Sequence, residues 1–269
     1  MEKILVLGAS GFIGGAMYRE LHPFYNTFGT YFTDNALLEK NRKFHQYDLE
    51  QEDIGFLLDQ IKPSIIISSL RGNFDAQVVA HFRIIDYILR NPCKLIFLSS
   101  ANVFDAFTNF PSYEYDKTLS QSIYGRFKIK IENALLRLPN HKYVIARLPM
   151  VFGPKSPRIL ELKRQLKETE AIEVFPNVVI NATSHTKLTQ QIHFIINHNL
   201  QGVFHLGSED LVHHRDLFQE FCEKLGEEKP LFKNAYDSNF DRYLAVLPKD
   251  NLLPKNLQIK IPGIVGEIG

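Results

Sequence analysis

The chain opens on an unbroken apolar run, Ile4-Leu5-Val6-Leu7, that stops at Gly8. Four apolar residues bounded by a glycine are too few for a buried helix and suit a strand covered on both faces. The period then changes, and Phe12 to Leu21 is predicted as a helix stopped by His22-Pro23. Strands are predicted at Tyr25 to Phe32 and at Phe44 to Tyr47. Ile54, Leu57, Leu58 and Ile61 recur at helical spacing, and Pro63 ends that helix. Ile65-Ile66-Ile67 marks a buried strand from Ser64 to Ser69. Val78, Val79, Phe82, Ile85, Ile88 and Leu89 mark a long helix that ends at Asn91-Pro92. A strand at Lys94 to Ser99, a helix at Ile123 to Leu138 and a strand at Tyr143 to Leu148 follow.

Strand and helix alternate throughout this stretch, which predicts an α/β fold with a doubly wound, Rossmann-type parallel sheet. The composition shifts after Gly153-Pro154. Beyond it come a charged helix at Ile159 to Lys167, a strand at Val178 to Ile180 and a helix face of Leu188, Ile192, Ile195 and Ile196. A strand at Val203 to Leu206 and a helix through Leu217, Phe218, Phe221 and Leu225 complete it, and the proline-bearing tail from Glu227 reads as loop-rich. The expected organisation is a nucleotide-binding domain over 1–153 and a smaller C-terminal substrate-binding lobe over 154–269. Within that lobe, residues from about 178 to 206 are expected to return to the first domain.

Composition narrows the function classes. The 269 residues are 45% hydrophobic, as in an ordinary globular protein. Lys plus Arg number 31 and Asp plus Glu 30, a net charge of +1, so nucleic acid is not an expected partner. Two cysteines, Cys93 and Cys222, supply neither a disulfide framework nor a metal knuckle, and the histidines fit no metal-ligand spacing. No apolar run approaches the roughly 20 residues of a membrane span, and the chain begins on a strand rather than a signal peptide. These features predict a cytoplasmic protein without membrane or metal.

Two patterns carry chemistry. The first is Gly8-Ala9-Ser10-Gly11-Phe12-Ile13-Gly14, lying between the first strand and the first helix. Gly8 permits the turn, Gly11 lets a pyrophosphate approach the backbone, and Gly14 lets the helix pack on the sheet. The helix amides then face the phosphates. The second is Tyr124-Gly125-Arg126-Phe127-Lys128, where a four-residue spacing puts phenol and ammonium on one helix face. A nearby cation favours phenolate and lets a tyrosine exchange a proton near neutral pH. Ser100 closes the fifth strand at the sheet edge where ligands bind in open α/β folds.

The glycine loop, Asp48-Leu49, Ser99-Ser100 with Val103-Phe104, Tyr124 with Lys128, and Arg147 before Val151-Phe152-Gly153-Pro154 together resemble the extended short-chain dehydrogenase/reductases. Among these the chain most resembles the dTDP-4-dehydrorhamnose reductase branch, nearly end to end. The resemblance implies a catalytic set of Ser100, Tyr124 and Lys128. It implies a dinucleotide held by Gly8, Ser10, Gly11, Phe12, Ile13, Gly14, Asp48, Leu49, Ser69, Leu70, Arg71, Ser99, Tyr124, Lys128, Leu148 and Pro149. Asn102, Val103, Met150, Asn181 and Thr183 are the implied substrate contacts, and Asn181 and Thr183 can equally cap the helix that begins near Ser184. Two departures stand out. Leu70-Arg71 replaces two small residues, leaving Arg71 as a phosphate or substrate contact or as a solvated side chain, and Phe127 replaces a small polar residue.

The implied activity is NAD(P)H-dependent reduction of a nucleotide-linked 4-keto sugar. The rivals are an epimerase of the same family and a non-catalytic NADP-binding regulatory subunit. Ala101-Asn102 lacks the acid that a dehydratase needs after the strand-five serine. An acid at the end of the second strand would bind the ribose of NAD, but Tyr31 holds that place and Asp34 comes late, which favours NADP while admitting NAD. The resemblance also admits a homodimer.

Overall fold

The computed structural model describes residues 2–227, 229–236 and 238–269. In chain order its first elements are β1 (Lys3–Leu7), α1 (Phe12–Leu21), β2 (Asn26–Tyr31), α2 (Ala36–Glu39), β3 (Phe44–Gln46), α3 (Ile54–Ile61), β4 (Ile65–Ser68), α4 (Phe74–Arg90), β5 (Lys94–Ser100), α5 (Ile123–Leu135), β6 (Tyr143–Leu148) and β7 (Met150–Phe152). Then follow α6 (Pro157–Glu168), β8 (Ile172–Val174), β9 (Val178–Ile180), β10 (Ala182–Ser184), α7 (His185–Asn197), β11 (Gly202–His205), β12 (Val212–His213), α8 (His214–Lys224), β13 (Phe232–Asn234), β14 (Arg242–Leu244) and α9 (Ile261–Gly266).

The chain divides into two compact units. The first comprises Met1–Ser99, Ser122–Ala146 and Ile192–Val203, and the second Ser100–Gln121, Arg147–Gln191 and Phe204–Gly269. A seven-stranded sheet in the order β11-β6-β5-β4-β1-β2-β3 organises the first. β1 pairs parallel with β2 and β4, β2 with β3, and β4 with β5. The doubly wound α/β sheet predicted from the alternation is thus present, and its strand order reverses between β1 and β4. Ile4 to Leu7 are all fully buried, and each such side chain contributes about 1.5–3 kcal/mol on burial. One large cluster, including Leu5, Leu7, Ile66, Leu95 and Phe97 from the strands, is covered by Ile84 and Ile88 of α4 and Ile131 and Leu135 of α5. Two helix starts are capped by side chains: Asn73 accepts from the Asp75 and Ala76 amides ahead of α4, and Ser122 from the Gly125 amide ahead of α5.

The second unit is built from short pieces. β7 pairs parallel with β10, β9 lies between β12 and β14, and β13 pairs with β8. Phe152, Ile159, Leu162, Ile172, Ile180, Leu217 and Phe221 form its core, closed by Ile261, Ile264 and Ile268 of the tail. The tail from Glu227 is mostly loop, as expected. Among its described residues lie β13, β14 and α9, and Pro262 sits at the start of α9, where its missing N–H costs nothing.

Candidate active site

The glycine loop is shaped by contacts that side chains would break. Gly8 has φ +77°, and a Cβ there would lie 2.8 Å from the Ser69 carbonyl oxygen. A Cβ on Gly14 would lie 2.2 Å from the Gly8 carbonyl oxygen and 2.5 Å from Ser69 Oγ. The loop after β1 thus touches the end of β4, at the point where the strand order reverses and where ligands bind in open α/β sheets. Thr30 Oγ1 accepts from the Gly8 amide at 2.8 Å, and Ser69 Oγ donates to the Leu7 carbonyl at 2.6 Å. Ser10 and Gly11 form the exposed tip, with Phe12 and Ile13 half-buried behind it. α1 begins without a side-chain cap and without an acid in its first turn. Such a start, cradled by glycines, fits the pyrophosphate of a dinucleotide.

Around this loop, Leu49 and Leu70 pack against the core cluster, while Arg71 stays exposed. The Asp48 carboxylate accepts from the Glu50 amide at 2.9 Å. Tyr31 is buried at the end of β2, and Gln46 Nε2 donates to Asp34 Oδ1 at 2.7 Å. Asp34, the acid that follows β2 in sequence, is therefore tied to β3.

The Tyr124-Lys128 spacing becomes a real contact. Tyr124 is 36% exposed, Lys128 only 6%, and the Lys128 ammonium stands 5.6 Å from the Tyr124 ring centroid. Lys128 Nζ donates to the Leu98 carbonyl at 2.8 Å and lies 4.6 Å and 5.0 Å from the Phe97 and Phe127 rings. Phe127, the departure noted between Tyr124 and Lys128, stacks on Phe74 at 5.1 Å and so helps to exclude water from the ammonium. Burial pulls Lys128 down to about 7, and the Glu132 carboxylate pulls it back upward.

Glu132 is not singled out by its sequence position, since a glutamate in an amphipathic helix usually faces water. It is 1% exposed, and its Oε1 accepts from Ser99 Oγ. Its i+4 spacing from Lys128, on the face that also carries Ile131 and Leu135, is the signal that could have found it. Below the same face Ser68 Oγ bonds His81 Nε2 at 2.8 Å, and His81 Nδ1 bonds the Gln77 carbonyl at 2.6 Å.

In the second unit Ser100 Oγ donates to Asn102 Oδ1 at 3.0 Å and accepts from the Asn102 amide. Val103 and Leu148 are buried, whereas Pro149 and Met150 are half-buried. Asn181, wholly buried, uses its side chain on backbone. Nδ2 donates to the Ser208 and Val246 carbonyls at 3.1 Å and 2.8 Å, and Oδ1 accepts from the Val246 amide at 3.0 Å. Thr183 is equally buried in β10. Ser184, rather than Asn181 or Thr183, accepts from the Lys187 amide in the first turn of α7. Among the described residues no group of His, Cys, Asp and Glu side chains could hold a metal ion, and no helix is long and apolar enough to cross a membrane.

No curated protein matches the sequence. Solved structures match its fold. A dTDP-4-dehydrorhamnose reductase from Clostridium acetobutylicum is 20% identical over 91% of this chain and 89% of that one, with TM-score 0.73. A dTDP-4-dehydrorhamnose reductase from Bacillus anthracis, solved with NADP, is 19% identical over 100% and 97%, with TM-score 0.76. The Bordetella bronchiseptica enzyme WbmH, solved with NAD+, is 15% identical over 99% and 97%, with TM-score 0.80. The RmlD substrate binding domain family matches residues 71–248, well over half of the sequence, and the chain belongs to that family.

Proposed function

We propose that this chain is an NAD(P)H-dependent reductase of a nucleotide-linked 4-keto sugar. The observation that carries the reading is the buried Lys128 ammonium held on the Tyr124 ring, in the same unit as a glycine loop shaped for a dinucleotide. A bound reduced nicotinamide supplies the hydride to the carbonyl carbon. Tyr124 gives its hydroxyl proton to the carbonyl oxygen, so that one hydride and one proton convert ketone to alcohol. Lys128 stabilises the phenolate left behind until solvent returns the proton. Ser100 orients the carbonyl oxygen by turning its hydroxyl proton from Asn102 Oδ1 toward it. Gly8 to Gly14 hold the pyrophosphate, with Asp48, Leu49, Ser69 and Leu70 along the dinucleotide. With Tyr31 buried and Asp34 tied to Gln46, NADPH binds at least as well as NADH.

The test is NAD(P)H consumption against a panel of nucleotide 4-keto sugars, with Tyr124→Phe and Gly11→Val beside the wild type. At least one sugar is reduced, Tyr124→Phe loses turnover but keeps cofactor affinity, and Gly11→Val loses that affinity. Wild-type turnover in Tyr124→Phe, or unchanged cofactor affinity in Gly11→Val, overturns the reading.

A further inference from the structure

We infer that Glu132 is a positioning residue for this reaction, a carboxylate sealed beneath α5 and fixed by Ser99 that keeps the buried Lys128 charged. The inference rests on the reductase reading only in that the reaction uses the charge of Lys128. Two observations and one general property of lysine carry it. Lys128 and Glu132 lie one helical turn apart on the buried face of α5. Ser99 Oγ donates to Glu132 Oε1, which fixes the carboxylate against β5. A lysine taken out of water sheds its proton unless an opposite charge compensates.

The groups packed around Lys128 explain why Glu132 is the one that acts. β5 offers Phe97, whose ring face attracts a cation, and the Leu98 carbonyl, a neutral acceptor. α4 offers His81, whose ring stands edge-on to Phe97. His81 is held neutral: Nδ1–H donates to the Gln77 carbonyl, Nε2 accepts from Ser68, and burial lowers it to about 3. From α5 itself come Tyr124, which loses a proton during the reaction, and Glu132. Among the described residues Glu132 alone brings a compensating negative charge to Lys128 before Tyr124 ionises.

A purely structural role, tying α5 to β5 through Ser99, is separable from this one. Glu132→Gln keeps an acceptor for Ser99 and removes only the charge. The experiment labels the lysine ε-carbons with 13C and follows the Lys128 resonance with pH, assigned by its loss in Lys128→Met. In Glu132→Gln the titration midpoint falls by about one pH unit or more, and the high-pH limb of kcat/KM for the reduction falls with it. Ser99→Ala, which leaves both charges but frees the carboxylate, shifts the midpoint the same way by less. A folded Glu132→Gln with an unchanged Lys128 midpoint overturns the inference. Should Glu132→Gln not fold, an unchanged midpoint in Ser99→Ala overturns it. A moved midpoint in a protein that reduces no 4-keto sugar supports the electrostatic assignment and refutes the reductase reading instead.

Discussion

Replacing Lys128 by Met should abolish turnover and yet make the folded chain more stable at neutral pH. In the fold Lys128 titrates at about 7, against 10.5 for a free lysine. Unfolding exposes it, so between these values the unfolded state binds the extra proton. At pH 7 that difference opposes folding by about 4 kcal/mol. Met fills nearly the same volume without charge. Its cost is the Leu98 carbonyl left without its Nζ–H donor, about 1–3 kcal/mol, so a net gain of about 1–3 kcal/mol remains. The sign depends on pH. As pH rises from about 7 towards 10.5, wild type recovers stability at about 1.4 kcal/mol per pH unit relative to the variant. The variant's advantage therefore shrinks and then reverses. Urea unfolding of both proteins across this range measures it, and groups that do not interact with Lys128 cancel in the difference. A difference that stays flat with pH would show that Lys128 is not desolvated in the fold, and the tuning assigned to it would fall with it.

Two further outcomes follow from buried polar groups. Asn181→Ala leaves the Ser208 and Val246 carbonyls and the Val246 amide without their partner, so it should cost about 3 kcal/mol or more, read from the shift in the denaturation midpoint; a loss below about 1 kcal/mol would refute the fastening role. His81, His205 and His214 are lowered by burial to about 3, 3 and 4, so they stay neutral in the fold while the unfolded chain protonates below about 6.5. Stability present above that pH should fall by up to about 4 kcal/mol per pH unit between pH 6 and pH 4, less in His81→Gln, and a flat profile there would contradict their burial as neutral rings.

The parts of the fold that could be read ahead of the structure are those where one residue class serves one physical purpose. Ile4 to Leu7 can only be buried, and Gly8 and Gly14 stand where backbone leaves no room for a Cβ. Tyr124 and Lys128 were legible because helical spacing converts directly into proximity. Glu132 was not, because its burial depends on Ser99, distant in sequence. β8, β10, β12, β13 and β14 have two or three residues each, too short to display a period. Ile261-Pro262-Gly263 looks like a turn until the helix it opens is seen to bury Ile261 and Ile264. Asn181 belongs to a residue type that suits ligand contacts and caps alike, and only its neighbours show that it fastens backbone instead.

Each unit is assembled from three separate stretches of sequence. A ribosome delivering this chain from its first residue therefore cannot finish the sheet-bearing unit when the glycine loop and Tyr124 have emerged. That unit waits for Ile192–Val203, and the second waits for the isoleucines of α9 and Ile268. Apolar strands such as β4 and β5 exist meanwhile without their complete surroundings, a window in which nascent chains aggregate or recruit chaperones. Synthesis that pauses before residue 192 should expose that window, and no single cut in the polypeptide releases either unit as a continuous fragment.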